Sequence, residues 1–204
     1  KVGKSKKQIL IDTVDPVKNC KFHGYEDPRC IVFNRTLYIF VNARDNSECI
    51  NQMYMLAIPL KDIRAALKSK TQSLKPQVIK LHINFDKGQV QKNWMPFIKN
   101  KELMCVYSVN PHIILRINTE NGKCNVVSKI EYPELPKNLR GSSNIIKQGN
   151  VWMGVLHIRI KPFAYVSAIY IFDNKFRIKK ISDYFVFNEN SSPGVEFVSG
   201  LEYN

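Results

Sequence analysis

Short apolar runs rich in Val, Ile, Tyr and Phe recur along this chain, and they recur in groups of four. The first group is "CIVFN", "LYIFVNA", "QMYMLAIPL" and "QVIKLHI"; the second is "PFIKN", "ELMCVYSV", "HIILRIN" and "CNVVSKI". The third is "NIIKQ", "VWMGVLH", "AYVSAIYIF" and "FRIKKIS". Each group opens with a short strand, a brief polar turn and a longer apolar strand, which is the pattern of a hairpin. The first strands begin near Ile31, Phe97 and Ile145, 66 and 48 residues apart. A stretch of helical periodicity explains the larger offset: "LKDIRAALKSK" at 60–70 puts Leu60, Ile63, Ala66 and Leu67 on one face, with Pro76 beyond it. Everything else reads as strand and turn. Four-stranded antiparallel sheets repeated at this spacing fit the blades of a β-propeller, where radial packing leaves only short, protected edges. Partial blades are expected on either side, from "QILIDT" before and from "YFVFN" and "VEFVSG" after. A β-sandwich is the rival architecture, because periodic hairpins also build Greek keys.

Composition narrows the partners. With 44% hydrophobic and 24% charged residues in 204, the chain can bury a substantial core and reads as one folded domain over 1–204. The formal charge of +14 favours an anionic partner. The cations are spread over "KVGKSKK", "KLHINFDK", "KNKE", "RIK" and "RIKK", however, a pattern of solvated faces rather than a nucleic-acid groove. No run approaches the roughly 18 apolar residues that would cross a bilayer, so no membrane segment is expected. Cys20, Cys30, Cys49, Cys105 and Cys124 form no C-x-x-C pair. An odd number of cysteines, several of them inside strands, suggests buried free thiols in a reducing, cytoplasmic setting. The triplets at Asn34 and Asn190 that match N-x-[ST] read as chance.

In a propeller, polar residues just ahead of the first strand of each blade converge on the axis. Here those segments are "GYEDPR", "QKNWMP" and "LRGSSN", and each carries a cation: Arg29, Lys92 and Arg140. Three cations around a carboxylate make a seat for a phosphate or a sugar phosphate. Asp27 has a rigidifying Pro28 behind it and Arg29 two positions on. Taken alone it would cap a turn or pair with Arg29. Near an anion site, its carboxyl can serve as a general acid on a leaving oxygen. His157 interrupts the apolar "VWMGVLH", where a lone His is ordinarily a hydrogen-bonded core residue; Trp94, Tyr107 and Trp152 read first as core aromatics. His23, His82 and His112 share no metal spacing, and neither a phosphate-cradling glycine loop nor a serine-hydrolase elbow is present. No metal or cofactor is called for.

Together, "GYEDPR", "KNWMPF", "VYSVNPH", "LRGSSNII…VWMGVLH", the downstream "Y…IYIFD" and "EFVSGL" resemble the five-bladed β-propellers of the mannoside phosphorylases and the related β-1,2-mannosyltransferases. The likeness runs from about Gly24 to Leu201. It implies inverting glycosyl transfer without metal, with Asp27 as proton donor to the glycosidic oxygen and Arg29 beside the sugar or phosphate. It also implies that Lys92 and Asn93 of "QKNW", His157, Tyr165 and, as a weaker match, Arg140 hold substrate or phosphate. The donor would be a sugar phosphate or nucleotide sugar, and the acceptor a glycan. Five blades of ~50 residues need about 250 residues, so the chain is expected to belong to a longer propeller. Two readings compete: a glycan-binding propeller without chemistry, and a basic nucleic-acid-binding protein. The sugar, the linkage and the oligomeric state are not written in the sequence.

Overall fold

Strand pairing follows chain order within each of three sheets. The computed structural model describes residues 8–13, 24–45, 49–69, 73–86, 89–161, 164–187 and 198–202. Its elements are β1 (Leu10–Ile11), β2 (Glu26–Phe33), β3 (Thr36–Asp45), β4 (Ile50–Pro59), α1 (Leu60–Lys68), β5 (Ser73–Leu74) and β6 (Gln77–Lys80). There follow β7 (Met95–Lys99), β8 (Glu102–Ser108), β9 (His112–Ile117) and β10 (Cys124–Ile130). The last are β11 (Arg140–Gly141), β12 (Ile146–Gln148), β13 (Val151–Lys161), β14 (Ala164–Asp173) and β15 (Ile178–Ile181). The first sheet runs β2-β3-β4-β6, the second β7-β8-β9-β10, and the third β11-β13-β14-β15 with β12 also on β13. All pairs within these three sheets are antiparallel. The three groups of four strands foreseen in the sequence are therefore present.

Alternation along the strands decides which sheet faces which. On β3, Tyr38 and Phe40 point to one side and Ile39, Val41 and Ala43 to the other; on β4, Met53, Met55 and Ala57 oppose Tyr54, Leu56 and Ile58. The Phe40–Met55 side packs on Leu103, Cys105, Ile113 and Leu115 of the second sheet. The reverse face of the second sheet, with Met104, Val106 and Ile114, packs on Trp152, Leu156, Tyr170 and Phe172 of the third. Ring contacts reinforce this layer: Phe97 lies 5.1 Å from Trp152 and 5.9 Å from Phe172, centroid to centroid, pairs worth about 0.5–1.5 kcal/mol each beyond their buried area. Face-to-face stacking of consecutive sheets places their first strands β2, β7 and β11 near one another, and the site follows from that proximity.

The helix packs against the outer face of the first sheet. It is two residues shorter than its periodic window and begins after Pro59, where Leu60 N–H donates to Arg35 O at 2.9 Å. Asp62 in its first turn and Lys68 in its last complement the helix dipole. Ala66 is buried and Ile63 packs on the Ile39–Leu56 layer, but Leu67, expected on the same face, is 48% exposed. The short helix meets the sheet along too narrow a stripe to cover it.

Two expected partial blades are absent as such among the described residues. β1, from "QILIDT", pairs in parallel with β5 beside α1 and adds to the outer layer of the first sheet. Phe185, from "YFVFN", bridges Ser167 on β14 and so extends the third sheet; of "VEFVSG", the described residues 198–200 form no strand. The cysteines also need correction. Cys105 and Cys124 are buried free thiols as expected, but Cys30 is exposed and Cys49 is disulfide-bonded. Cys20 lies outside the described residues.

Candidate functional site

Asp27 stands on a β-bulge. Glu26 pairs with Asn42 and Arg29 with Phe40, so β2 uses one residue more than β3 across this interval. The surplus is taken up by Asp27 at φ 53, a left-handed conformation that Asp tolerates better than most residues, and Pro28 fixes the next turn of the chain. The bulge turns the half-buried Asp27 side chain toward Asn42, whose Nδ2 donates to Asp27 Oδ2 at 3.4 Å and to Glu26 O at 3.3 Å. Asn42 is itself oriented, because its Oδ1 accepts from Asn51 Nδ2 at 3.0 Å. With both ends of the Asn42 amide engaged, one Asp27 oxygen is held from within the first sheet.

Arg29 joins all three sheets. Although charged, it is only 1% exposed. Its Nη1 donates to Asp27 O at 2.8 Å, its Nη2 to Asn93 Oδ1 at 3.3 Å, and its Nε to Ser142 O. Asn93 leads into β7 and Ser142 follows β11, so the guanidinium fork spans the three leading segments that the sequence singled out. Burial lowers the Arg29 pKa to about 10, opposed by the nearby Asp27 charge. A desolvated cation kept at such a cost is a recurrent mark of functional sites. The close approach also fixes Gly141: a Cβ there would lie 2.4 Å from Asn93 O and 2.7 Å from Met95 Cγ.

His157 completes the cluster from β13. It pairs with Arg140 on β11, and its Nδ1 lies 2.8 Å from Ser142 Oγ. The Tyr165 ring stands edge-on to it at 5.3 Å. Burial, followed by the charges of Arg29, Lys92 and Arg140, lowers the His157 pKa to about 4. The imidazole is thus neutral near pH 7 in a field made positive by three cations. Lys92 and Arg140 are exposed, neither has an ion-pair partner among the described residues, and both line a cavity of about 420 Å³. A cleft of about 450 Å³ near the Glu102–Arg116 ion pair shares no lining residue with it.

Arg29, Lys92, Asn93, Arg140 and His157 thus belong to one electrostatic or hydrogen-bonded cluster, which Asp27 joins through its carbonyl and its charge on Arg29, and Tyr165 through its ring contact with His157. The guanidinium of Arg29 is turned onto protein acceptors rather than toward open space. Sequence reasoning missed Asn42, Asn51 and Ser142. The one signal for Asn42 was an amide near the end of the apolar "LYIFVNA", a side chain that the fold buries. Among the described residues, no three His, Cys, Asp or Glu side chains are grouped as metal ligands, and no helix is long and apolar enough to cross a membrane.

No family model matches the chain. Among curated proteins it is similar to beta-mannosyltransferase 3 of Candida albicans, at 24% identity over 216 aligned positions that take in 94% of this chain and 37% of that protein. It is also similar to beta-mannosyltransferase 3 of Komagataella phaffii, at 23% identity with 68% of this chain and 23% of the relative covered. The chain therefore spans about a third or less of the length of these relatives. Among solved structures it superposes on Bacteroides ovatus Xyloglucan PUL GH43B with a TM-score of 0.56, 9% identity, and 87% of this chain and 32% of that one covered. The GH43 BlXynB protein of Bacillus licheniformis gives 0.52 at 11% identity, over 83% of this chain and 32% of its own. At such identities the structural likeness speaks to fold alone. The curated relatives are mannosyltransferases by name, and the solved neighbours share an all-β fold of four-stranded antiparallel sheets with this chain.

Proposed function

We propose that this chain is part of a five-bladed β-propeller that transfers a mannose-like hexosyl unit, with inversion, between a sugar phosphate or activated sugar and a glycan acceptor. The observation that carries the reading is the convergence of three leading segments on the buried Arg29, whose guanidinium holds the Asp27 carbonyl and, with Lys92 and Arg140, makes a positive field around the neutral His157. In the phosphorolytic direction, a phosphate oxygen bonds to the anomeric carbon as the glycosidic C–O bond breaks, and the leaving oxygen takes the proton of Asp27. In the synthetic direction, the Asp27 carboxylate accepts the acceptor hydroxyl's proton while that oxygen displaces phosphate, which departs toward Lys92 and Arg140. One displacement inverts the anomeric configuration either way. The likeness to beta-mannosyltransferases supports mannose as the sugar. The Cys49 disulfide supports an oxidising compartment over the expected cytoplasm.

The test is incubation with α-mannose 1-phosphate and a β-linked oligomannoside, reading release of phosphate and elongation of the glycan. Asp27→Asn should abolish both while leaving mannose 1-phosphate binding in place. Equal rates for variant and parent would remove Asp27 from the reaction. Glycan binding with no turnover by the parent would leave a binding propeller.

A further inference from the structure

The cavity that receives Lys92 and Arg140 has a third kind of group in its wall. Asp86, at φ 49 in the loop between β6 and β7, accepts a hydrogen bond on Oδ2 from Tyr107 Oη at 2.8 Å. The Tyr107 ring is fixed from two sides, edge-on to Phe85 at 5.2 Å and to Trp94 at 5.3 Å. The loop is braced from below by Gln91, a 5% exposed side chain whose Nε2 donates to Asp86 O at 3.4 Å. The carboxylate is therefore placed rather than free to swing. It has no ion-pair partner among the described residues, and Asp86 lines the same cavity as Lys92 and Arg140. Burial and Asp86 both raise the Tyr107 pKa, so the phenol keeps its proton and acts as a donor to Asp86.

A seat for a bare anion has no use for a carboxylate held in its wall, because the carboxylate repels what the cations attract. A ligand that carries an anion at one end and hydroxyl donors at the other satisfies both kinds of group. At about 420 Å³ the cavity is large enough for a hexose with one phosphate. We propose that Asp86, positioned by Tyr107, is the hydroxyl-reading residue of a hexose 1-phosphate subsite whose phosphate end faces Lys92 and Arg140. This rests on the sugar-phosphate reading of the site and adds the residue that tells a sugar phosphate from phosphate.

Calorimetric titration of the parent, Asp86→Asn and Tyr107→Phe with inorganic phosphate and with α-mannose 1-phosphate tests it. Asp86 is exposed, so its amide variant should fold as the parent does. In Asp86→Asn, phosphate should bind equally or up to about threefold tighter, since a repelling charge is gone. Mannose 1-phosphate should bind about tenfold or more weakly, because hydroxyl donors lose a charged acceptor. Tyr107→Phe should weaken mannose 1-phosphate by about threefold and leave phosphate unchanged. A purely structural role would weaken both ligands and a purely electrostatic one would tighten both; either parallel change, or no change, overturns the proposal, as does a parent that binds neither ligand. Turnover judges Asp27 separately: binding of mannose 1-phosphate that depends on Asp86 but never leads to transfer keeps this subsite and removes the reaction.

Discussion

Protonation of two buried imidazoles should govern how this fold fails in acid. His112 is 0% exposed, its Nδ1 lies 2.9 Å from Phe176 O, and its ring meets Tyr170 and Phe172 edge-on. A carbonyl can only accept, so Nδ1 carries the proton and Nε2 is the bare nitrogen; it has no hydrogen-bond partner among the described residues. A second proton on Nε2 would place a cation among aromatic rings with nothing to receive it. Burial accordingly lowers the His112 pKa from 6.5 to about 4, against the weaker upward pull of Phe176 O, and His157 is lowered to about 4 as well. In both cases the unfolded chain binds the proton more readily, so stability is full above pH 6.5 and is lost as pH falls from there toward 4. At about 1.36 kcal/mol per pH unit, each histidine accounts for roughly 3 kcal/mol, and the pair for about 6–7 kcal/mol. That is comparable with the whole stability of an ordinary domain, about 5–15 kcal/mol. Urea unfolding followed by the fluorescence of Trp94 and Trp152 between about pH 7.5 and about pH 4.5 should show the loss, steepest at about 2.7 kcal/mol per pH unit. His112→Asn keeps an N–H for Phe176 O but cannot titrate, and should halve that slope. Unfolding free energy that is flat across the range, or a His112→Asn variant with the parent's full slope, would refute the reasoning.

Two further perturbations probe the site's construction. Gly141→Ala must open the gap to Asn93 O by about 1 Å, from 2.4 Å to the 3.4 Å of ordinary contact, at a cost of about 1–3 kcal/mol. Thermal melting should fall by roughly 2–12 °C, and phosphate affinity should fall with it, because Ser142 and its bond to Arg29 are next in the chain. Asn42→Ala removes the N–H that holds Asp27 Oδ2. Turnover of mannose 1-phosphate should drop about tenfold while its binding changes by less than about twofold, because the carboxylate loses its orientation and the phosphate end of the site is untouched. Rate, binding and melting temperature falling together would mean that Asn42 serves the fold alone.

The strands were legible because each buries two faces or one, and their alternation records which. Tyr38 with Phe40 and Ile39 with Val41 already separate in the sequence into the two layers found in the fold. The leading segments were legible too, through Arg29, Lys92 and Arg140, because a cation before an apolar strand stands out. What escaped depended on register and on distant partners. The link from Asn42 to Asp27 exists because of a one-residue bulge that no local preference announces. The direction of Arg29 was also hidden: the chain shows a cation beside an acid, while the fork of bonds to Asn93 and Ser142 exists only once sheets stack. β1 was misjudged for the same reason, since two residues pairing in parallel with β5 carry the same apolar letters as a strand opening a blade of its own.

The guanidinium of Arg29 also sets an order of events. It reaches Asn93 across 64 positions of sequence and Ser142 across 113, so the entropy of closing those long loops must be met by sheet-on-sheet packing before these bonds can form. The pocket is thus a product of the finished architecture rather than a seed of it. A polypeptide cut after the second sheet could keep its hairpins and still lack the carbonyl that gathers the chemistry at its centre.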